Sequence, residues 1–364
     1  MSKLRLLLVT DAVGGVWTYS LELARALEPL GVETILAVTG PSPSVEQRVA
    51  AGGMKLIDTG LPLEWLDTGP AEIVNAGKAL ALIAACEGAD IVQTSSGALL
   101  ACGAIEQPTV AVQHSCVATW WAAVKGTPLP NDFRWRRDMV AQGLSKADAV
   151  VAPTRAFAAA TERVYDLDRR VIAVHNGRTA QEVRELPQGD FVFTAGRLWD
   201  EGKNVATLDR AAARIRAPFQ AAGSTQGPNG ASIALEHLIA LGNLSGARVA
   251  GVLAARPIFA SAALYEPFGL SVLEAAQAGC ALVLSDIPTH RELWDGAAIF
   301  IEPLDELGFA AATNDLLENR EERERLREAA RERARQFSPR RMAREMAGIY
   351  TRVLQPQQQL AGVA

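Results

Sequence analysis

Apolar runs of strand length alternate with amphipathic stretches along most of the chain. Residues 4–10 form an apolar run that predicts a β-strand, and after a glycine-rich turn residues 16–30 place apolar side chains at helical spacing. Strands that alternate with helices are typical of parallel sheets, so the pattern predicts an α/β protein. Further strands are predicted at residues 33–39, 90–93, 109–113, 147–153, 171–174, 190–195, 218–223 and 257–260.

The most informative stretch follows the predicted strand at residues 257–260. A loop with a Pro-Phe-Gly turn comes next, and Gly269 opens a helix. The backbone N–H groups of Gly269, Leu270 and Ser271, together with the turn at Phe268, would lie at the carboxyl end of the strand. Because the first N–H groups of a helix have no intrahelical partner, this stretch predicts an anion site.

Two carboxylates frame the predicted anion site. Glu266 lies in the loop and Glu274 lies eight positions later in the helix, so both can face one ligand. A carboxylate does not bind phosphate directly, so we assign the acids to hydroxyl groups of the ligand and the N–H groups to its phosphate. A nucleotide sugar has both kinds of group. The alternative is a helix with two solvated glutamates.

A second loop carries cations. After the predicted strand at 190–195, Arg197 and Lys203 lie among glycines just before a helix predicted at 205–216. Two cations in a loop that leads into a helix start are the arrangement expected around a diphosphate. Ordinary surface cations are the alternative.

The first strand and helix are joined by a turn that contains Gly14 and Gly15. This turn is compatible with a dinucleotide site, but it lacks the full G-x-G-x-x-G pattern, and Thr39 and Gly40 stand where a ribose-binding acid is expected. A nicotinamide enzyme is therefore the weaker interpretation. His114 ends another predicted strand, where an open α/β sheet presents ligand groups; a structural histidine is the alternative.

The block from Glu266 to Glu274, the small-residue helix after it and the Pro-containing loop at 285–292 resemble the donor half of retaining GT-B glycosyltransferases of family four. The similarity extends over most of the chain. It implies two Rossmann-like α/β/α domains that face a central cleft. We therefore predict an N-terminal domain at residues 1–178, a donor-binding domain at 179–336, a helix at 337–354 that packs back on the first domain, and a disordered tail at 355–364.

The resemblance also implies roles for individual residues. Arg197 and Lys203 would bind the leaving diphosphate, Glu274 the ribose hydroxyls and Glu266 the sugar hydroxyls. Gly14 and Gly15 would approach the donor phosphates from the other domain, and His114 would contact the sugar. The implied reaction retains the anomeric configuration and needs no protein nucleophile, metal or cofactor, with a UDP- or GDP-linked sugar as donor.

The chain departs from the family pattern at two places. His114 is followed by Ser115, where the family often has Asp, and Arg178 and Thr179 replace the Val-Asp that commonly follows Asn-Gly. A noncatalytic nucleotide-sugar-binding subunit therefore stays open as an alternative, as does a sugar-nucleotide epimerase of the same fold. The motifs do not specify the sugar, the base, the acceptor, the linkage or the oligomeric state.

Residues 117–137 interleave aromatic and basic side chains. Such a segment suits a sugar, an anionic acceptor or a lipid headgroup surface, and an ordinary amphipathic helix is an equal alternative. The acceptor would be a sugar, a lipid-linked compound or a small molecule. The aromatic members are Trp120, Trp121, Phe133 and Trp135, and the basic members are Lys125, Arg134, Arg136 and Arg137.

Asp166 and Asp168 form a D-x-D pattern that elsewhere holds a divalent ion. Here three arginines flank it and it precedes a strand, so we interpret it as solvated charge and predict no metal site. The four cysteines lack metal-ligand spacing and lie in apolar surroundings, which predicts reduced core thiols.

Composition narrows the class of protein. A net charge of −5 and a pI of about 5.6 give no support to nucleic-acid binding. No apolar run approaches the roughly 18 residues of a membrane span, and the start of the chain enters a strand without a leader-like segment. We expect a cytoplasmic protein, with peripheral contact at the inner membrane as an open possibility.

Overall fold

The structure is a computed structural model that describes residues 3–66, 68–182, 186–228 and 230–361, with side chains up to Gln355. Contacts divide the chain into two compact units. The first domain comprises Met1–Gly177 with Pro339–Ala364, and the second comprises Arg178–Ser338. The first boundary falls one residue from the predicted one. Residues 183–185 of the predicted polar linker lie outside the described residues.

The first domain is built on a seven-stranded parallel sheet. Its central strands are buried along their length, as a sheet covered on both faces requires. The strands are β1 (Leu4–Asp11), β2 (Val32–Thr39), β3 (Lys55–Asp58), β4 (Ile91–Thr94), β5 (Thr109–Val112), β6 (Ala149–Ala152) and β7 (Ile172–Ala173). The helices are α1 (Gly15–Leu27), α2 (Val45–Ala51), α3 (Pro70–Cys86), α4 (Val117–Val124), α5 (Asn131–Lys146) and α6 (Arg155–Tyr165).

The second domain is built on a six-stranded parallel sheet. Two apolar clusters form its core, centred on Phe193, Phe259 and Trp294 and on Leu208, Phe219 and Phe309. The strands are β8 (Val192–Ala195), β9 (Phe219–Ala222), β10 (Ile239–Gly242), β11 (Ile258–Ser261), β12 (Ala281–Ser285) and β13 (Ile299–Ile301). The helices are α7 (Val205–Ala212), α8 (Gly246–Leu253), α9 (Leu270–Gln277), α10 (Pro288–Trp294), α11 (Glu306–Glu318) and α12 (Arg320–Ala334).

Both sheets place their strands in the same order. The first runs β3-β2-β1-β4-β5-β6-β7 and the second runs β10-β9-β8-β11-β12-β13. In each sheet the chain starts in the middle, winds to one edge, and then returns to wind to the other. Ligands of such sheets bind beyond the carboxyl ends of the two strands at this switch point, which are β1 and β4 in the first domain and β8 and β11 in the second. This confirms the predicted α/β class with two Rossmann-like domains.

The last helix, α13 (Pro339–Ala361), is part of the first domain. Met342, Met346 and Tyr350 lie in the first core, and the Tyr350 hydroxyl donates to Gln93 Oε1. The expected end of the helix at Gln355 is wrong, because the helix continues to Ala361. This also contradicts a disordered tail over residues 355–361, and residues 362–364 lie outside the described residues.

The structure differs from the sequence-based expectations in further places. Strand β3 is an edge strand with exposed or half-buried side chains, so it lacks the apolar run that marks a buried strand. Edge strand β10 has the apolar sequence Ile-Ala-Leu-Gly, but most of its side chains are exposed. The expectation of four core thiols is also wrong in part. Cys280 is buried, but Cys86 is exposed at the end of α3.

Candidate active site

Two loops meet at the switch point of the second sheet. Residues 196–204 follow β8 and residues 262–269 follow β11, and the Gly202 carbonyl accepts from the N–H groups of Leu264 and Tyr265 at 2.9 and 3.1 Å. Gly223, after β9, lets the first loop close, since a Cβ there would lie 1.8 Å from the Gly196 carbonyl oxygen. Backbone contacts therefore hold the two predicted donor loops together.

Helix α9 begins at the predicted anion site. Its N-cap residue is Gly269, whose φ of 86° favours glycine, and no side chain caps the helix. The first intrahelical bond runs from Leu273 N–H to Gly269 C=O at 3.0 Å, which leaves the N–H groups of Leu270 and Ser271 without an intrahelical acceptor. The Phe268 side chain is buried against Phe337, so only its backbone can serve a ligand.

Glu266 and Lys203 form an ion pair across the two loops. The Lys203 ammonium donates to Glu266 Oε2, and the two side chains are 21% and 10% exposed. The structure thus brings together the predicted diphosphate cation and the predicted sugar acid. Without a ligand, each neutralises the other in a partly dry setting.

A buried histidine lies beneath this pair. His290 of α10 is fully buried, and its Nδ1 lies 3.1 Å from the Ser285 hydroxyl and 3.0 Å from the Ser285 carbonyl oxygen. Burial lowers the pKa of His290, while the charge of Glu266 opposes that shift and the charge of Lys203 adds to it. His290 is therefore a neutral support under the charged pair.

Arg197 is held within its own loop. Its guanidinium donates to Asp200 Oδ2 at 2.9 Å and lies 5.9 Å from the centre of the Trp199 ring. Asp200 is buried and also accepts from Gly202 N–H at 2.9 Å. Arg197 remains 43% exposed, so it can reach a ligand at the rim of the loop.

Glu274 is paired with Arg178, a residue at which the chain departs from the family pattern. Arg178 Nε donates to Glu274 Oε1 at 2.9 Å. One turn further along α9, Gln277 Nε2 donates to the Arg178 carbonyl at 2.7 Å. These residues line a pocket together with the segment after Arg178 and with α8. The other lining residues are Ala180, Gln181, Gly246, Ala250, Leu253 and Ala278.

The predicted glycines of the first domain lie at the end of β1. Gly14 is the N-cap of α1 and Gly15 is its first residue, and both are exposed. No side chain caps this helix start either. The turn before it is held by Asp11 Oδ1, which accepts from Val13 N–H at 2.8 Å.

His114 lies at the carboxyl end of β5, as predicted. Its ring meets Tyr19 edge to face, with centroids 4.2 Å apart, and its Nε2 is buried without a hydrogen-bond partner among the described residues. Burial lowers the pKa of His114 from 6.5 to about 4. The imidazole is therefore neutral at physiological pH.

Residues 117–137 form α4, a short connection and the start of α5. Trp121 packs on Trp120 and Phe133 with centroids 6.2 and 5.8 Å away, and its indole N–H donates to Thr127 at 3.1 Å. Arg136 stacks 4.4 Å from the centre of the Trp135 ring. Trp120, Trp121 and Phe133 are half-buried, so they form a shared aromatic face and not a core anchor, while Trp135 contacts Arg136.

Arg136 also holds the loop after β3. It donates to the carbonyls of Glu64 at 2.6 Å and Leu66 at 3.1 Å. Glu64 is buried, and its Oε2 lacks a hydrogen-bond partner among the described residues. Burial raises the pKa of Glu64, against the effect of the Ser96 hydroxyl. Arg136 is thus committed to structure, which weakens the idea that it serves an anionic acceptor.

Two family models match the chain. The model described as Glycosyltransferase Family 4 matches residues 13–181, and the model described as Glycosyl transferases group 1 matches residues 231–333. The protein is a glycosyltransferase of the GT-B type. The second match contains Glu266, Gly269 and Glu274, and the first contains Gly14 and His114.

Solved structures share the glycosyltransferase's fold at low sequence identity. Sucrose-phosphate synthase from Thermosynechococcus elongatus matches with a TM-score of 0.78 and 18% identity over 100% of both chains. HepE from Anabaena in complex with UDP-glucose matches with a TM-score of 0.73 and 15% identity over 95% of this chain and 99% of its own. WaaG, a glycosyltransferase involved in lipopolysaccharide biosynthesis, matches with a TM-score of 0.70 and 15% identity, again over 95% and 99%. No curated protein matches the chain significantly in sequence.

Sequence reasoning missed several residues of the glycosyltransferase's candidate site. His290 lies in the Pro-containing loop at 285–292, and Asp200 lies in the loop with Arg197 and Lys203. The sequence does not reveal that the His290 ring lies near the charge of Lys203 or that Asp200 accepts from Arg197. Arg178 is visible as a departure from the family pattern, and its contact with Glu274 could not be inferred from it. Glu64 carries no motif at all.

Two kinds of feature are absent from the described part of the glycosyltransferase. No helix there is long and apolar enough to cross a membrane. No group of three or more His, Cys, Asp or Glu side chains there could hold a metal ion. Asp166, in the D-x-D pattern, is the C-cap of α6 in the first domain.

Proposed function

We propose that this glycosyltransferase moves a sugar from a UDP- or GDP-linked donor to a hydroxyl acceptor and retains the anomeric configuration. The observation that carries the proposal is the meeting of Lys203 and Glu266 beside the uncapped start of α9. The helix start and the ammonium suit a diphosphate, and the carboxylate suits sugar hydroxyls. The HepE structure, which holds UDP-glucose, supports a nucleotide sugar as the class of donor.

Donor binding exchanges partners within the Lys203–Glu266 pair. When the diphosphate arrives, the Lys203 ammonium turns to it together with the N–H groups at Gly269, Leu270 and Ser271. Glu266 then accepts hydrogen bonds from the sugar hydroxyls. Neither buried charge is left unpaired, which avoids the cost of several kcal/mol for an isolated charge.

Bond breaking increases the negative charge on the leaving diphosphate. A cation already held in place stabilises that state more than the ground state, so Lys203 and Arg197 act mainly on turnover. Arg197 is 43% exposed, so its guanidinium can also donate to a phosphate while its Nη2 donates to Asp200. In this mechanism the two side chains supply the charge, and neither a metal ion nor another cofactor takes part.

The acceptor belongs to the first domain in this proposal. The half-buried face of Trp120, Trp121 and Phe133 suits stacking against a sugar ring of the acceptor. His114 is assigned to the donor sugar, and its neutral ring can hydrogen-bond a sugar hydroxyl without adding charge. The acceptor hydroxyl attacks the donor sugar from the face that the diphosphate leaves, so no protein nucleophile is needed.

The test combines donor turnover with product stereochemistry. The protein is incubated with a panel of α-linked UDP- and GDP-hexoses and with sugar and lipid-linked acceptors. The buffer contains a reductant, because the four cysteines are free thiols. We expect nucleoside diphosphate release that depends on an acceptor, and proton NMR should show an α-linked product.

A β-linked product would contradict retention. Release of nucleoside diphosphate with an altered free sugar and no acceptor product would favour an epimerase. No release from any UDP- or GDP-hexose would overturn the donor assignment. A Lys203→Ala variant serves as the control for background hydrolysis.

A further inference from the structure

The backbone of Arg178 is held by hydrogen bonds at both its N–H and its carbonyl. Its backbone N–H donates to the Phe337 carbonyl at 3.2 Å, and its carbonyl accepts from Gln277 at 2.7 Å. Phe337 in turn packs edge to face on Phe268 in the turn before α9, with centroids 5.7 Å apart. The backbone of Arg178 is therefore fixed to the same turn and helix that carry the predicted donor groups.

The guanidinium of Arg178 lies against the carboxylate of Glu274. Nε donates to Oε1 at 2.9 Å, with the two side chains 17% and 26% exposed. Gln277 lies one turn after Glu274 on α9, so one helix face holds both the backbone and the side chain of Arg178. This contact is absent from the family pattern, which commonly has Val at this position.

We propose that Arg178 is a positioning residue for the donor ribose, acting through Glu274. The inference rests on the proposed function, in which Glu274 accepts hydrogen bonds from the ribose hydroxyls. A glutamate on a helix surface has three rotatable side-chain bonds, and ordering it on binding costs free energy. Arg178 orders the Glu274 side chain before the ligand binds, which lowers that cost. It can do so because its own backbone is fixed.

The pocket next to this pair supports the placement. Arg178 and Glu274 line it together with Gln277, and Gly246, Ala250 and Leu253 of α8 form an apolar side. The pocket thus combines charged groups with an apolar surface. The ribose and the start of the base are the parts of a donor that would lie here if the diphosphate lies at Gly269.

The experiment compares two ligands that differ only in the ribose hydroxyls. UDP and 2′,3′-dideoxy-UDP are titrated calorimetrically into the wild type, Arg178→Met, Arg178→Lys and Glu274→Ala, and GDP with its dideoxy analogue replaces them if GDP binds more tightly. The readout is the ratio of the two dissociation constants. Arg291→Met is the matched control, because Arg291 holds Asp286 at 2.7 Å in the same domain and is exposed.

We expect the wild type to prefer UDP by on the order of 10- to 100-fold, the size of hydrogen bonds to a charged group. Arg178→Met should reduce this preference by about 5- to 10-fold, Arg178→Lys should restore part of it, and Arg291→Met should leave it unchanged. Glu274→Ala should remove most of it. Thermal unfolding of each variant checks the fold, and Arg178→Val replaces Arg178→Met if the latter does not fold.

Three outcomes separate the claims. If Arg178→Met weakens both ligands equally, Arg178 acts as a general cation and the positioning role is wrong. If the variant binds UDP more tightly, Arg178 blocks Glu274, which also overturns the inference. If Glu274→Ala keeps the full preference, or if neither nucleotide binds, the ribose assignment of the proposed function itself fails.

Discussion

The two domains share one sheet order but carry different chemistry at the switch point. In the second domain, Lys203, Arg197 and Arg178 are each paired with a carboxylate beside the loops after β8 and β11. In the first domain, the carboxyl ends of the strands lead to the exposed glycines Gly14 and Gly15 and to His114, whose Nε2 is buried without a partner among the described residues. The strand order therefore determines where a site lies, and the side chains of the loops determine which ligand groups bind there.

This difference matches two kinds of ligand group. A diphosphate needs cations and N–H groups, and the second domain stores its cations as ion pairs that a phosphate can exchange. A sugar needs hydrogen bonds and ring stacking, and the first domain offers a neutral imidazole at His114 and the aromatic face of Trp120, Trp121 and Phe133. The predictions below test each half of this contrast, from the largest free-energy effect to the smallest.

Lys203→Ala should give the largest effect. Removing one preorganised electrostatic donor should lower kcat by on the order of 10² to 10³, with a smaller change in donor affinity. Steady-state kinetics with a saturating acceptor measures both. Lys203→Arg should rescue only part of the activity, because a planar fork cannot replace a compact ammonium without moving the phosphate.

Glu266→Gln is the control for the broken ion pair. Lys203→Ala leaves the Glu266 carboxylate buried beside His290 without its main cation. Combining the two changes removes that unpaired charge. If the double variant regains wild-type kcat, Lys203 serves stability alone and its assignment to the leaving diphosphate is wrong.

His114→Gln should change how stability depends on pH. Burial lowers the folded-state pKa of His114 to about 4 from 6.5, so the unfolded state binds more protons between these values. The free energy of unfolding is therefore highest above pH 6.5 and decreases as the pH falls toward 4. Protonation of His114 in the unfolded state accounts for up to about 3 kcal/mol of this decrease. Urea unfolding at several pH values should show a shallower fall in the variant. Identical pH profiles would contradict a neutral, buried His114.

Glu274→Ala should weaken donor binding by about 1.5 to 3 kcal/mol, the usual size of hydrogen bonds to a charged group. Calorimetric titration with UDP and GDP measures the loss. The variant also removes the ion pair with Arg178, so Arg178→Met/Glu274→Ala is the control for the loss of that pair. Unchanged nucleotide affinity in a folded variant would remove Glu274 from the site.

Trp121→Ala should impair acceptor use and spare donor binding, because the diphosphate cations belong to the second domain. We expect the acceptor KM to rise about 10-fold, comparable to the loss of one stacking contact of 0.5–1.5 kcal/mol. Trp120→Ala should act in the same direction. A variant that loses its fold instead would support a purely structural role for this aromatic face.

Excess EDTA should leave the activity unchanged. In the proposed mechanism Arg197 and Lys203 neutralise the diphosphate, and Asp166 of the D-x-D pattern has no part in it. The measurement is donor turnover with and without the chelator. Loss of activity that magnesium or manganese restores would overturn a metal-free reaction.

The sequence predicts best what depends on local order. The strand, turn and helix around Gly269 follow from apolar runs and a glycine, and the resemblance supplied candidate roles for the charged residues beside them. The partners of those residues could not be predicted, since Arg178 and Glu274 are 96 positions apart and Lys203 and Glu266 are 63 apart. Edge strand β3 could not be predicted for another reason, because its polar, exposed ends leave no apolar run.

The central claim is that the second domain binds a nucleotide sugar through Lys203 and Glu274. The most direct measurement is thermal unfolding of the wild type and of Lys203→Ala/Glu274→Ala with UDP, GDP and ADP. Because a ligand that binds only the folded state stabilises it by about 2.7 kcal/mol at one hundred times its dissociation constant, UDP or GDP should raise the wild-type Tm by several degrees. The double variant should show no such rise. An equal rise in both proteins, or none in the wild type, would contradict the account.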